Sequence, residues 1–327
     1  MVTSCASKYD PTRDIPNLRG KVFLVSGGNA GIGYETVAEL VRHGAKVYMG
    51  ARSESRATTA IEKLKVDGYL NDGGEVIWHE LDLMTPASAR RSAEAFMKRE
   101  ARLDVLVNNA GMAHWAPDSF TAVDTDVPIC RLMSANHLGP FALTTTLLPL
   151  IKRTAAEPNS DVRIVTVSSN AHTSAKKVDW KTTDGWNFQS TGFVSDLQSY
   201  GTTKLANILF AKELQRVLDR DGVDATSISL HPGGVNTGAV QNMRQLGGLG
   251  YALYYATKFS GQLLTPAEGA SASLFAATSL EVSADKRKYA GAYLMPFGRL
   301  VEPSKDAKDE IAARDLWETS ERAVLAI

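Results

Sequence analysis

Cysteine is almost missing from this chain. Cys5 and Cys130 are the two present, which is no disulfide framework and fits a reducing compartment. An excess of charge is missing too: Lys plus Arg and Asp plus Glu both number 36, so no basic surplus points to nucleic acid and no acidic tract to disorder. The six histidines, at 43, 79, 114, 137, 172 and 231, never fall at the short spacings of a zinc site, and no metal is expected. Residues 1–18 carry Lys8, Asp10, Arg13 and Asp14 with Pro11 and Pro16, and so lack the apolar core of a signal peptide or of a transmembrane anchor. A cytoplasmic protein is the expectation. The stretch from Leu246 to Leu264 holds one charge, Lys258, but glycines 247, 248, 250 and 261 interrupt it. It reads as an apolar lid, with a membrane or subunit contact as the alternatives.

What is present, 44% hydrophobic and 22% charged residues, describes an ordinary globular protein. From residue 21 onward short apolar runs alternate with amphipathic stretches, the pattern of a parallel sheet covered by helices. Strands are expected at 21–26, 45–50, 75–81, 103–108, 161–168, 225–231 and 291–295, and helices near 31–43, 54–66, 86–101, 127–153, 198–220, 239–260 and 266–279. The expected fold is therefore α/β, a Rossmann-like, doubly wound, seven-stranded parallel sheet in a single domain. Residues 1–20 form a polar lead-in, 21–301 the body with insertions at 170–197 and 239–264, and 302–327 a helical tail. Ile311, Leu316, Trp317 and Val324 of the tail should pack back on the body.

Directly after the first expected strand comes Ser26-Gly27-Gly28-Asn29-Ala30-Gly31-Ile32-Gly33, followed by a helical pattern. A strand, a glycine turn and a helix N-terminus bring bare backbone and N–H groups against a pyrophosphate, so Gly27, Asn29, Gly31, Ile32 and Gly33 are candidate dinucleotide contacts. At the end of the second strand stands Arg52, with no Asp or Glu beside it. A guanidinium there accepts a 2′-phosphate that a carboxylate would repel, and NADP(H) is the expected cofactor. Asp82 and Leu83 close the third strand; Asp82 either bonds the adenine amino group or caps a helix.

Tyr200 and Lys204 stand at the head of a helical segment, four positions apart and so on one face. A cation beside a phenol favours the phenolate, so the Tyr200 pKa is expected to fall toward working pH. Ser168-Ser169 closes the strand just upstream.

Together these motifs resemble the short-chain dehydrogenase/reductase family, and within it the retinol-dehydrogenase-like branch. The similarity also covers Asn108-Asn109-Ala110-Gly111, Asn136-His137-Leu138-Gly139 and His231-Pro232-Gly233-Gly234-Val235-Asn236-Thr237. The resemblance implies that Tyr200 is the general acid and base, that Lys204 lowers its pKa and holds the nicotinamide ribose, that Ser169 bonds the substrate oxygen, with Ser168 as the alternative, and that Asn136 holds a relay water. Asn108, Asn109, Ala110 and Gly111 would lie near the cofactor ribose, and Pro232, Gly233, Val235 and Thr237 would line the nicotinamide. It also implies a homodimer, since helices 137–153 and 198–220 are usual pairing surfaces of the family.

The function expected is interconversion of a ketone or aldehyde with an alcohol on an apolar small molecule. Apolarity rests on Trp180, Trp186 and the Tyr251, Tyr254, Tyr255 cluster, with the two insertions as pocket walls and ordinary core as the alternative place for these aromatics. An oxidative alcohol or retinol dehydrogenase is the alternative within enzymes. A non-catalytic NADP(H)-binding sensor or scaffold is the alternative outside them.

Overall fold

The computed structural model describes residues 9–113, 129–237 and 263–326. Seven parallel strands, β1 (Val22–Ser26), β2 (Lys46–Ala51), β3 (Glu75–Glu80), β4 (Val105–Asn108), β5 (Val162–Val167), β6 (Ala225–Leu230) and β7 (Tyr293–Met295), are joined by an antiparallel β8 (Arg299–Val301). Their order is β3-β2-β1-β4-β5-β6-β7-β8. The central strands are buried on both faces, and the period of two sends neighbouring side chains into different cores. Leu24, Leu106 and Ile164 enter one apolar cluster, whereas Phe23, Val25, Val105, Val107 and Val165 enter the other. On the second face lie α1 (Gly31–Arg42), α2 (Glu54–Val66) and α6 (Pro266–Thr278). The first is covered by α3 (Pro86–Arg99), α4 (Gly139–Ala155), α5 (Phe193–Arg220) and α7 (Glu310–Ala326).

Three expectations need correction. The sheet has eight strands, not seven. The extra one follows a tight turn, Pro296–Gly298, in which Phe297 takes φ 64° and Gly298 φ 77°. Three residues with an exposed Arg299 carry too little apolar pattern to read as a strand, although such short charged strands suit a sheet edge. Trp180 and Trp186 of the first insertion are not pocket walls: they are 7% and 0% exposed and belong to the core beneath the C-terminal helix. In that helix Leu316, Trp317 and Val324 are buried as expected, but Ile311 is 68% exposed on the opposite face. Residues 238–262, which hold most of the second insertion, its tyrosines and the expected helix 239–260, lie outside the described residues. Among the described residues no helix is long and apolar enough to cross a membrane.

The lead-in is part of the fold. Ile15 and Leu18 are buried in the second core, and Tyr9 meets Phe275 edge-on at 5.2 Å. Because β1 and β4 are neighbours while their connections run to opposite sides, a crevice opens at their carboxyl ends.

Candidate active site

Ser26 closes β1 at the floor of that crevice. Its hydroxyl accepts from the amides of Asn109 and Ala110, both at 3.0 Å, and the Asn109 side chain donates to the Ser26 carbonyl at 2.9 Å. The loop after β4 is thereby locked beneath the glycine turn. Gly27 and Gly31 take φ 67° and 55°, which side-chain-bearing residues rarely adopt. Gly33 serves a different need: a Cβ there would lie 2.2 Å from the Gly27 carbonyl oxygen. Asn29 and Ile32 are half-buried in the same turn. Helix α1 starts without a side-chain cap and with no acidic residue in its first turn, so its positive end and leading N–H groups suit an anion.

Arg52 follows β2, exposed and with no carboxylate partner among the described residues. Asp82 accepts from the Met84 amide at 3.0 Å, so its carboxylate organises the local turn. Leu83 is buried under α4, where Gly139 makes room for it. Beyond β6, Gly233 takes φ 99°, with Leu264 and Pro296 packed where a Cβ would stand. Pro232 and Val235 are buried, and Val235 pairs with Leu264. Thr237 comes back to the glycine turn, its Cγ2 at 3.3 Å from where a Cβ on Gly31 would be. One crevice thus gathers the end of β1, the loop after β4 and the loop after β6.

The two serines after β5 have different surroundings. Ser168 is 2% exposed and its hydroxyl donates to the Lys204 carbonyl at 2.6 Å, which staples the strand to α5. Ser169 is half-buried and caps the turn Asn170–Ser174, and its hydroxyl is close enough to Tyr200 to lower the phenol's proton affinity. Lys204, 4% exposed, donates from Nζ to the Val167 carbonyl at 3.2 Å, as does the Asn207 amide at 3.1 Å, and its Nζ lies 5.5 Å from the centre of the Tyr200 ring.

Asn136 sits in a π-helical turn, Ser134–Leu138, a local widening frequent at functional sites. It accepts from the Met112 amide at 2.6 Å and donates to the Met112 carbonyl at 2.9 Å and to Thr203 Oγ1 at 3.0 Å. That bracket holds Gly111 where a Cβ would be 3.4 Å from both Asn136 Oδ1 and Lys204 Nζ. Thr203 is part of this frame, yet its sequence position signals only the inner face of a helix.

The expected fall in the Tyr200 pKa is not what the structure gives. Burial pushes the phenol up to about 12, against the lowering effect of the Ser169 hydrogen bond, and takes the Lys204 ammonium down to about 8. Desolvation of both charged forms outweighs the attraction that the four-residue spacing suggested.

A doubly wound α/β domain with a glycine turn at its switch point defines a dinucleotide-binding class. The short chain dehydrogenase family model matches residues 21–179. The short chain dehydrogenase/reductase dpchH of Colletotrichum higginsianum is 40% identical over 321 residues, covering 95% of this chain and 76% of that protein. A short-chain dehydrogenase/reductase of Armillaria gallica is 38% identical, covering 97% and 96%. The chain belongs to the short-chain dehydrogenase/reductase family of oxidoreductases. Among solved structures, an uncharacterized protein from Mycobacterium paratuberculosis superposes with a TM-score of 0.69 at 29% identity over 98% of both chains. Pseudomonas aeruginosa RhlG, solved as a complex with NADP, shares the fold at a TM-score of 0.63 and 24% identity, covering 86% of this chain and 96% of that one.

Proposed function

We propose that the protein is an NADP(H)-dependent oxidoreductase that interconverts a ketone or aldehyde with an alcohol on a small apolar molecule. The observation that carries this reading is the buried Lys204 ammonium 5.5 Å from the centre of the Tyr200 ring, with the half-buried Ser169 hydroxyl beside them, at the rim of the crevice that the glycine turn floors. The bound nicotinamide would supply or accept the hydride. Tyr200 donates its proton to the carbonyl oxygen in reduction and takes it back in oxidation, and Ser169 holds that oxygen by a second hydrogen bond. Lys204 and Asn136 face Gly111, where the ribose and a relay water are assigned.

The cofactor residues suit this role. The uncapped start of α1 offers donors to a pyrophosphate, and the exposed Arg52 offers a fork of donors to a 2′-phosphate. Apolarity of the substrate now rests on Leu264 and Pro296 over Gly233, since Trp180 and Trp186 are core. Reduction is the working direction wherever NADPH is kept in excess over its oxidised form. Pairing through helices 137–153 and 198–220 is disfavoured because the chain's own Trp317 stacks on Phe210 at 5.9 Å and meets Phe141 edge-on at 5.0 Å. A cytoplasmic setting accords with the buried free thiol of Cys130.

The test is NADPH oxidation followed across a panel of aldehydes, cyclic ketones and terpenoids. Turnover that disappears in Tyr200→Phe supports the enzyme. Tight NADPH binding without turnover of any member supports the sensor instead.

A further inference from the structure

Two histidines outside the proposed catalytic set stand next to it in the chain, and both are tied to the same C-terminal segment. His172 lies three residues after Ser169, inside the turn that Ser169 caps, and is 3% exposed. Its Nδ1 is 2.8 Å from the Ser169 carbonyl oxygen, and its Nε2 is 3.2 Å from the backbone nitrogen of Ser304. A backbone N–H can only donate, so Nε2 is the acceptor, and the ring proton on Nδ1 is donated to the Ser169 carbonyl. The Tyr293 ring packs against the imidazole at a steep angle, ring centres 5.1 Å apart, and burial favours the neutral form by lowering its pKa. The second histidine shares only the tie to the C-terminal segment, its Nδ1 having no partner among the described residues. His137, adjacent to Asn136, has Nε2 at 2.7 Å from the hydroxyl of Ser320 in α7.

We propose that His172 is a positioning residue: by bonding the Ser169 carbonyl on one side and the Ser304 amide on the other, it lets the C-terminal segment set where the Ser169 hydroxyl stands relative to Tyr200. The role given to Ser169 rests on the functional reading above; the mechanical link does not. The opposite wall of the turn is fixed already, because a Cβ on Gly201 of α5 would lie 2.4 Å from the Ala171 carbonyl oxygen. The Ser169 hydroxyl also accepts from the Ala171 amide at 3.1 Å, so any tilt of the turn moves it directly. His172 closes the remaining side.

Three variants of the full chain separate the two bonds. His172→Gln keeps an acceptor near the Nε2 position and loses the side-chain donor to the Ser169 carbonyl, which every variant leaves bonded to the backbone N–H of residue 172 at 3.1 Å. His172→Asn keeps a donor near Nδ1 and cannot reach Ser304. His172→Phe keeps neither. Hydrogen exchange is read in peptides covering 168–174 and 302–309, beside kcat and the KM for NADPH on a carbonyl that the unmodified protein reduces. In His172→Gln, exchange at 168–174 should quicken and kcat fall, each by about ten-fold or more, while 302–309 stays protected and the NADPH KM holds. In His172→Asn, the 302–309 peptide should loosen while much of the turnover lost in His172→Phe is restored. The proposal is overturned if Gln and Asn loosen both peptides alike with kcat following thermal stability, or if His172→Phe leaves kcat and the 168–174 peptide unmoved. If the unmodified protein reduces no carbonyl, the exchange data alone decide the positioning role, and the functional reading is what fails.

Discussion

The two sides of the crevice are built from different material. On the cofactor side, Gly27, Gly31 and Gly33 do their work with backbone, through positive φ angles and a contact that no side chain could share. On the side assigned to catalysis, Tyr200 and Lys204 would do theirs with side chains whose proton affinities are shifted by desolvation, beside the half-buried Ser169. A backbone cradle fails sterically and all at once, whereas a desolvated proton site fails electrostatically and with a pH dependence. The contrast teaches where each kind of damage should fall, and four substitutions press on it.

The largest effect is expected on the catalytic side. Tyr200→Phe removes the proton carrier and should cut turnover about 10²–10⁴-fold with NADPH affinity intact. In the unmodified protein the pH profile should divide by direction. With a phenol pKa of about 12, reduction has its acid available throughout the neutral range, while oxidation needs the phenolate and should quicken as pH rises toward that value. Initial rates in both directions check this, and parallel profiles would count against Tyr200 as the proton carrier.

Gly33→Ala tests the cradle. Its Cβ would stand 2.2 Å from the Gly27 oxygen, so the turn must rearrange, at about 1–3 kcal/mol of stability, and dinucleotide binding should be lost. Titration of NADPH fluorescence against thermal melting separates the two losses. Binding that survives would show that the turn has more slack than the structure allows.

Lys204→Met should move stability and function in opposite directions. The folded-state pKa of about 8 lies below the ordinary lysine value of 10.5, so the fold favours the neutral amine and holds an ammonium at neutral pH only at a cost of about 3 kcal/mol. That cost is fully present below about pH 8 and disappears as pH climbs to the unfolded value. Lys204→Met should therefore melt higher than the parent at pH 7, with the gain shrinking toward pH 10, while turnover and cofactor affinity fall. A gain that does not shrink would assign it to packing instead.

The smallest effect belongs to Arg52, because an exposed guanidinium works in high dielectric. Arg52→Asp should weaken NADPH by about 2 kcal/mol and leave NADH nearly unchanged, as calorimetry with both cofactors would show. Equal losses would remove Arg52 from the site.

The alternation of apolar runs with amphipathic stretches made the seven parallel strands legible: β1 is apolar up to Ser26, while β5 and β6 are buried throughout although they carry Arg163, Thr166, Thr226, Ser227 and Ser229. The glycine turn was legible because strand, turn and helix are contiguous in the chain, so local spacing carries their geometry. Tyr200 and Lys204 were legible as a pair for the same reason. Only the tertiary structure decided what depends on parts distant in sequence. It gave Ser168 and Ser169 different surroundings, since one hydroxyl is spent on the Lys204 carbonyl and the other stays half-buried at the start of the turn 170–174. It reversed the direction of the Tyr200 shift, because desolvation is a property of everything packed around a group and not of its neighbour one turn away. It moved Trp180 and Trp186 from pocket to core, and it joined His172 to Ser304 across 132 positions. The sequence holds such distant pairs as chemistry without address, and folding supplies the address by burying apolar surface that many alternative patterns would have signalled equally well.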